Sequence, residues 1–366
     1  MRHIKTYHQI KAYFYLTAFS LLGLSACKKM YNLPDEKEYL NPGMSYSSQN
    51  LEPILGRTNL MGSFNSANSS LPLTFEIVNA RYGDGRPVTD LFQTKPTYVW
   101  VDAYDGTETS LEAIEAKRKL EDHSLFEVRP SGQFIMWASA TDDLVAPRPK
   151  DSSNLVQDIR FFDLKISNSG GETLIRDFQV RPWLERAYEP STDINPYTGG
   201  PAPDPADPLN PVKQNYIRPA LSNVIGVQSK RALVSNDQQK DVIALIREIP
   251  GGTGNTIRVK VLDKDSIPIN PSFFNETNWD LQVHGFNKTV TNEYVQYDVA
   301  YPIPLVDIPT KYTVNGNARF NLRYSRRDLG GSRTIASIGL EFKIFRKGDW
   351  EVVFRFINDN PKFEDE

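Results

Sequence analysis

The sequence predicts a mostly β protein of two antiparallel β-domains. The first is expected to be an immunoglobulin-like sandwich, the second a β-sandwich or small barrel, and one short helix accompanies them. Three observations predict it. Apolar and polar residues alternate with period two in both halves of the chain, as in strands with one wet face. Gly pairs at Gly170-Gly171, Gly251-Gly252 and Gly330-Gly331 punctuate these runs as hairpin turns do. A proline-dense stretch divides a chain of 366 residues, more than one hydrophobic core usually serves.

Residues 1–26 read as a signal peptide. Arg2, Lys5 and Lys11 give a positive start without an acidic residue, and a mostly apolar run follows from Ala12 to Leu24. That run of 13 residues falls short of the roughly 20 that a membrane-spanning helix needs. The chain's one cysteine comes next. Leu24-Ser25-Ala26-Cys27 resembles the bacterial lipobox, in which the thiol is alkylated with diacylglycerol and cleavage leaves the modified cysteine first. Cys27 is therefore the expected lipid-attachment residue, and two or three acyl chains anchor stably where one does not. Residues 27–70, polar and carrying Pro34, Pro42 and Pro53, are expected to be a lipid-anchored tether.

Residues 71–187 form the expected first sandwich. Leu73, Phe75 and Ile77 alternate with Thr74, Glu76 and Val78, and "YVWVDAY" (98–104) alternates in the same way. Between these runs and the next, "TSLEAIEAKRKLEDH" (109–123) predicts the helix, with Thr109 and Glu112 at capping-box spacing. Residues 188–221 hold eight prolines from Pro190 to Pro219. Proline removes backbone donors and fixes φ, so this stretch is expected to be a linker or surface loop. Residues 222–366 form the second β-domain. Val295, Tyr297, Val299 and Tyr301 share one strand face, Ala318, Phe320, Leu322 and Tyr324 a second, and Trp350, Val352, Phe354 and Phe356 a third. On the second of these strands, Arg319, Asn321 and Arg323 take the wet side.

Charge and composition exclude some chemistry. Removing the signal leaves 39 − 45 = −6, from 42 Lys+Arg less three and 45 Asp+Glu, which argues against a nucleic-acid partner. Only His123 and His284 remain after the signal, so a catalytic triad or a multi-histidine zinc site is poorly supplied. No catalytic residue, metal site or cofactor is expected. Asp263-Lys264-Asp265-Ser266 reads as a hairpin turn. The remaining candidate is "NPSFFNETNW" (270–279). Aromatic planes stack on the C–H faces of sugar rings while amides bond the hydroxyls, which makes Phe273, Phe274, Trp279 and Asn278 the candidate ligand-binding residues. The alternative is that these aromatics plug the ends of the sandwich or the domain interface.

The lipobox, "PLTFEIVNARYGDGRPV", "FFDLKISNSGGETLIRDFQVRPW" and "GLEFKIFRKGDWEVVFRFINDNPKF" together resemble a family of uncharacterised Bacteroidetes outer-membrane lipoproteins. Such lipoproteins accompany starch-utilisation-type systems for polysaccharide uptake. The resemblance implies a non-catalytic accessory protein, lipid-anchored in the outer membrane on its surface or periplasmic face. Its implied partners are the membrane, a polysaccharide ligand, and an outer-membrane transporter or another lipoprotein. A structural or assembly subunit of an outer-membrane complex is the alternative.

Overall fold

The structure, a computed structural model, describes residues 37–147, 159–190, 203–204, 207–211, 217–236, 238–252, 254–328 and 330–363. The expected signal peptide, the expected lipid-attachment residue Cys27 and the first part of the expected tether lie outside these residues. The protein is mostly β, with antiparallel sheets and a single short α-helix among the described residues.

The first domain comprises β1 (Ser45–Tyr46), β2 (Asn50–Leu51), β3 (Asn59–Met61), β4 (Phe64–Asn65), β5 (Thr74–Tyr82), β6 (Thr94–Trp100), α1 (Leu111–Glu115), β7 (Arg118–Ser124), β8 (Phe126–Val128), β9 (Phe134–Met136), β10 (Arg160–Asn168) and β11 (Gly171–Val180). A four-stranded sheet in the order β2-β11-β10-β5 faces a three-stranded sheet, β3-β9-β8. Phe162, Leu164, Ile166, Phe178 and Val180 from the first meet Phe126, Phe134 and Met136 from the second in one buried core. Its aromatic rings interlock: Phe134 lies 5.3 Å from Phe162 and 5.1 Å from Phe178, centroid to centroid. Such pairs add about 0.5–1.5 kcal/mol each beyond the area they bury.

The tether is shorter than the sequence suggests. Met44, Leu51 and Leu55 are buried in this core, Tyr46 packs against Phe134 and Phe178, and β2 adds a parallel edge strand to β11. Pro42 sits in a turn and Pro53 just after β2, between strands of only two or three residues. The expected helix is also shorter. Ser110 rather than Thr109 caps it, its Oγ accepting from the Ala113 N–H, and it ends at Glu115. Residues 118–124 instead form β7, paired with β6 from Trp100↔Arg118 to Thr94↔Ser124. A full cross-strand ladder outweighs the helix propensity of this Glu- and Lys-rich stretch.

The second domain contains β12 (Tyr188–Glu189), β13 (Pro203–Asp204), β14 (Asp207–Pro211), β15 (Ala220–Ser222), β16 (Val242–Glu248), β17 (Thr256–Leu262), β18 (Gly285–Val290), β19 (Tyr294–Val299), β20 (Thr313–Val314), β21 (Asn317–Arg327), β22 (Arg333–Ile344) and β23 (Asp349–Phe356). One sheet runs β16-β23-β17-β19-β18, with β17 and β23 parallel. The other runs β12-β22-β21-β20, with β15 also on β22. The two face each other across a core that holds every residue of the three alternating faces read from the sequence, Val295 through Phe356. This arrangement is a sandwich rather than a closed barrel.

The proline-dense stretch, expected as a linker or surface loop, begins and ends on strands of the second domain. Tyr188 and Glu189 pair with Ile344 and Lys343 of β22, and Ala220, Leu221 and Ser222 pair with Gly339, Ile338 and Ser337 of the same strand. Both ends are thus fixed in one sheet. Within the stretch, β13 and β14 pair in a short ladder of their own.

Candidate functional site

The expected site residues do not form one surface. Phe274 is 1% exposed and belongs to the second core, against Tyr324 and Phe363. Phe273 is exposed but leans on Phe363, ring centroids 4.9 Å apart. Trp279 packs partly buried against the core, and its carbonyl accepts from the Tyr297 hydroxyl at 2.6 Å. Asn278 caps the short 3-10 turn Trp279–Leu281, its Oδ1 accepting from the Asp280 N–H. The aromatics therefore plug the end of the sandwich, and Phe274 is unavailable to a ligand.

The polar residues among them close a sheet edge. Beyond β20, the free edge of β21 presents backbone groups that need partners. The loop after Phe274 supplies them from side chains. Gln282 Oε1 accepts from the Asn321 N–H at 2.7 Å, Thr277 Oγ1 from the Arg323 N–H at 2.6 Å, and Asn275 Oδ1 from the Ser325 N–H at 2.9 Å. Three successive donors on one edge are satisfied by a loop acting in place of a strand.

This loop also walls a recess of about 230 Å³. One side is Glu276, Asn278, Leu281 and Gln282. The floor is the wet face of β21, Arg319, Asn321 and Arg323, and the far side is Lys311, Tyr312 and Val314. Of the residues proposed from the sequence, only Asn278 lines it. Opposite Asn321, β22 carries Gly339, so no side chain rises there beside the floor. The Asn321 Oδ1 is buried without a hydrogen-bond partner. Glu276 is held by Arg333 at 2.7 Å. Lys311, Arg319 and Arg323 carry no ion pair among the described residues, although the Lys311 ammonium lies 5.0 Å from the Tyr312 ring centroid.

Tyr312 ties the recess to the junction between the domains. Its ring stacks on His284, centroids 4.5 Å apart and planes within 8°. His284 Nε2 donates to the Glu108 carbonyl at 2.8 Å, which fixes the proton on that nitrogen, so Nδ1 accepts from the Tyr104 hydroxyl at 2.6 Å. Burial pushes the His284 pKa below its ordinary value, opposed in part by the Glu108 carbonyl. Tyr104 and Ile114 of the first domain pack with Ala300 and Leu305 of the second, and the Arg118 guanidinium donates to the Tyr301 carbonyl at 2.7 Å. A second junction lies at Arg57. Its guanidinium covers the Phe345 ring at 3.4 Å and pairs with Glu189 at 2.9 Å.

The other histidine, His123, sits on β7 between Glu121 and Glu127, its ring tilted against Trp137 with centroids 4.8 Å apart. Among the described residues no group of three His, Cys, Asp or Glu side chains could hold a metal ion, and no helix is long and apolar enough to cross a membrane.

The chain matches, over residues 64–365, the model of a family described as a domain of unknown function, DUF5007. No curated protein matches it. The family match starts at β4 and continues past β23, taking in the recess and the His284 junction. One family model thus spans nearly all of both sandwiches, and the chain belongs to the DUF5007 family.

Proposed function

We propose that the protein is a non-catalytic lipoprotein, anchored through Cys27 in the outer membrane, that binds a polysaccharide as an accessory component of an uptake system. The observation that carries this reading is the recess on the second domain. Guanidinium, amide and phenol side chains line that hollow together, a set of groups that suits a ligand dense in hydroxyls. The lipobox and the family-like segments support the location, and the binding residues shift from the Phe273 cluster to Tyr312, Asn321 and Asn278. The test is electrophoresis of the detergent-solubilised full chain through native gels cast with a panel of polysaccharides. Retardation by at least one glycan is expected, and Tyr312→Ala should abolish it in protein that still melts cooperatively, at a lower temperature because the stack on His284 is lost. Free migration of the folded chain through the whole panel overturns the reading.

A second reading, an assembly subunit, has its own observation. The β6–β7 hairpin exposes Tyr98, Trp100 and Leu120 on one face, with Val101 beside them. An exposed aromatic and aliphatic face of this kind suits a protein partner such as a transporter or another lipoprotein.

A further inference from the structure

We infer that the recess takes an anionic polysaccharide, reading carboxylate or sulfate groups through Arg319, Arg323 and Lys311. The inference rests on the glycan-binding reading and names the class of glycan. It begins from an imbalance of charge. The chain as a whole carries a net −3, yet this recess gathers three cations with no ion-pair partner among the described residues. Of the acids near it, Glu276 is engaged by Arg333 and Asp280 by Lys288, while Glu341 stands opposite Arg319 across the β21–β22 pair without an ion pair to it. Charges left uncompensated around a hollow raise the local concentration of a ligand of opposite sign.

The placement of the cations adds to this. Arg319 and Arg323 stand on the same face of β21 with Asn321 between them, and Cα atoms four residues apart on a strand are separated by about 13 Å. Positive charge is therefore spread along a line, which suits anionic groups repeated along a polymer better than one small anion. The planar forks of arginine match carboxylate and sulfate oxygens in pairs. Asn321, between the two arginines in sequence, adds an amide to the same lining. An amide suits a hydroxyl, a group that polysaccharides carry beside their charges and a bare inorganic anion lacks.

The experiment compares charged and uncharged forms of the same backbones. The detergent-solubilised full chain is run through native gels containing polygalacturonate or its methyl ester, and dextran sulfate or dextran. At least one anionic form should bind about tenfold more tightly than its uncharged counterpart, and the binding should weaken as salt is raised. The double variant Arg319→Gln/Arg323→Gln should lose about tenfold or more on the same glycan. Preference for polygalacturonate assigns carboxylates, and preference for dextran sulfate assigns sulfate esters. Equal binding of charged and uncharged forms, or an unchanged double variant, overturns the anionic assignment and leaves glycan binding standing. No retardation by any charged or neutral glycan, from a protein with an intact melting transition, overturns both. The comparison of esterified with free polygalacturonate needs no variant, so a variant that misfolds does not remove the test.

Discussion

His284 bridges the two domains as a neutral ring: Nε2–H gives to the Glu108 carbonyl, and Nδ1 receives from the Tyr104 hydroxyl. A proton on Nδ1 would reverse the second bond, and the Tyr104 hydroxyl proton would need another acceptor. With the folded pKa pushed below 6.5 by burial, the unfolded chain takes up this proton first. The stability that His284 contributes is therefore complete above about pH 6.5 and is lost as pH falls through that value toward the folded pKa. Thermal melts from pH 8 to pH 5 should show the melting temperature falling on the acid side, and His284→Gln should flatten that slope; an unchanged slope refutes the role. Asp241 acts in a separate window. Its fully buried carboxylate is held well below the usual range, first by Arg231 and then by Asn358, the Val234 N–H and Gln239, so its contribution is lost only as pH falls below about 3.8. At this scale the sequence was least legible. Phe273, Phe274 and Trp279 sit beside asparagines in a sugar site and at the plugged end of a sandwich alike, and composition does not say which way a ring faces. Arg319, Asn321 and Arg323 were visible as the wet face of a strand, but Lys311 and Tyr312 reach the recess from a segment without a period to read.

Element by element, legibility followed length. β5, β19, β21 and β23 each run long enough for a period of two to show, and the faces read from it pack inward, although β23 also buries Val353 on its other face. β1 to β4 run two or three residues each, too short for any period, so a core-forming segment looked like a tether. The helix prediction failed at β7 for the opposite reason: a local pattern was clear, but the partner strand β6 decided the outcome. The place of the N-terminal segment in the core can be measured. Leu55 is fully buried, and Leu55→Ala should cost about 2–5 kcal/mol in urea denaturation at an unchanged m-value. A loss below about 0.5 kcal/mol, within the range of surface substitutions, would return this segment to the status of a tether.

In the molecule as a whole, two cores meet at two junctions, Tyr104 with His284 and Arg57 with Phe345 and Glu189. Contacts of both kinds couple the unfolding of one sandwich to the other. Calorimetry should give one endotherm for the wild type. Arg57→Ala, which removes a nearly buried guanidinium from an aromatic face and a carboxylate, should cost about 2 kcal/mol and split that endotherm in two. A single unshifted endotherm would show that the Arg57 junction does not couple the domains. The two-domain plan was legible from the sequence, whereas its proline-dense stretch could be read there as a linker or as a surface loop. β12 and β15 lie in line along one edge of β22, so the chain leaves that line at Glu189 and rejoins it at Ala220. The excursion between them sets no distance between the sandwiches. It is where descendants of this chain are free to gain or shed residues, or where an epitope can be grafted, since each doubling of a loop adds only about 0.6 kcal/mol of closure cost.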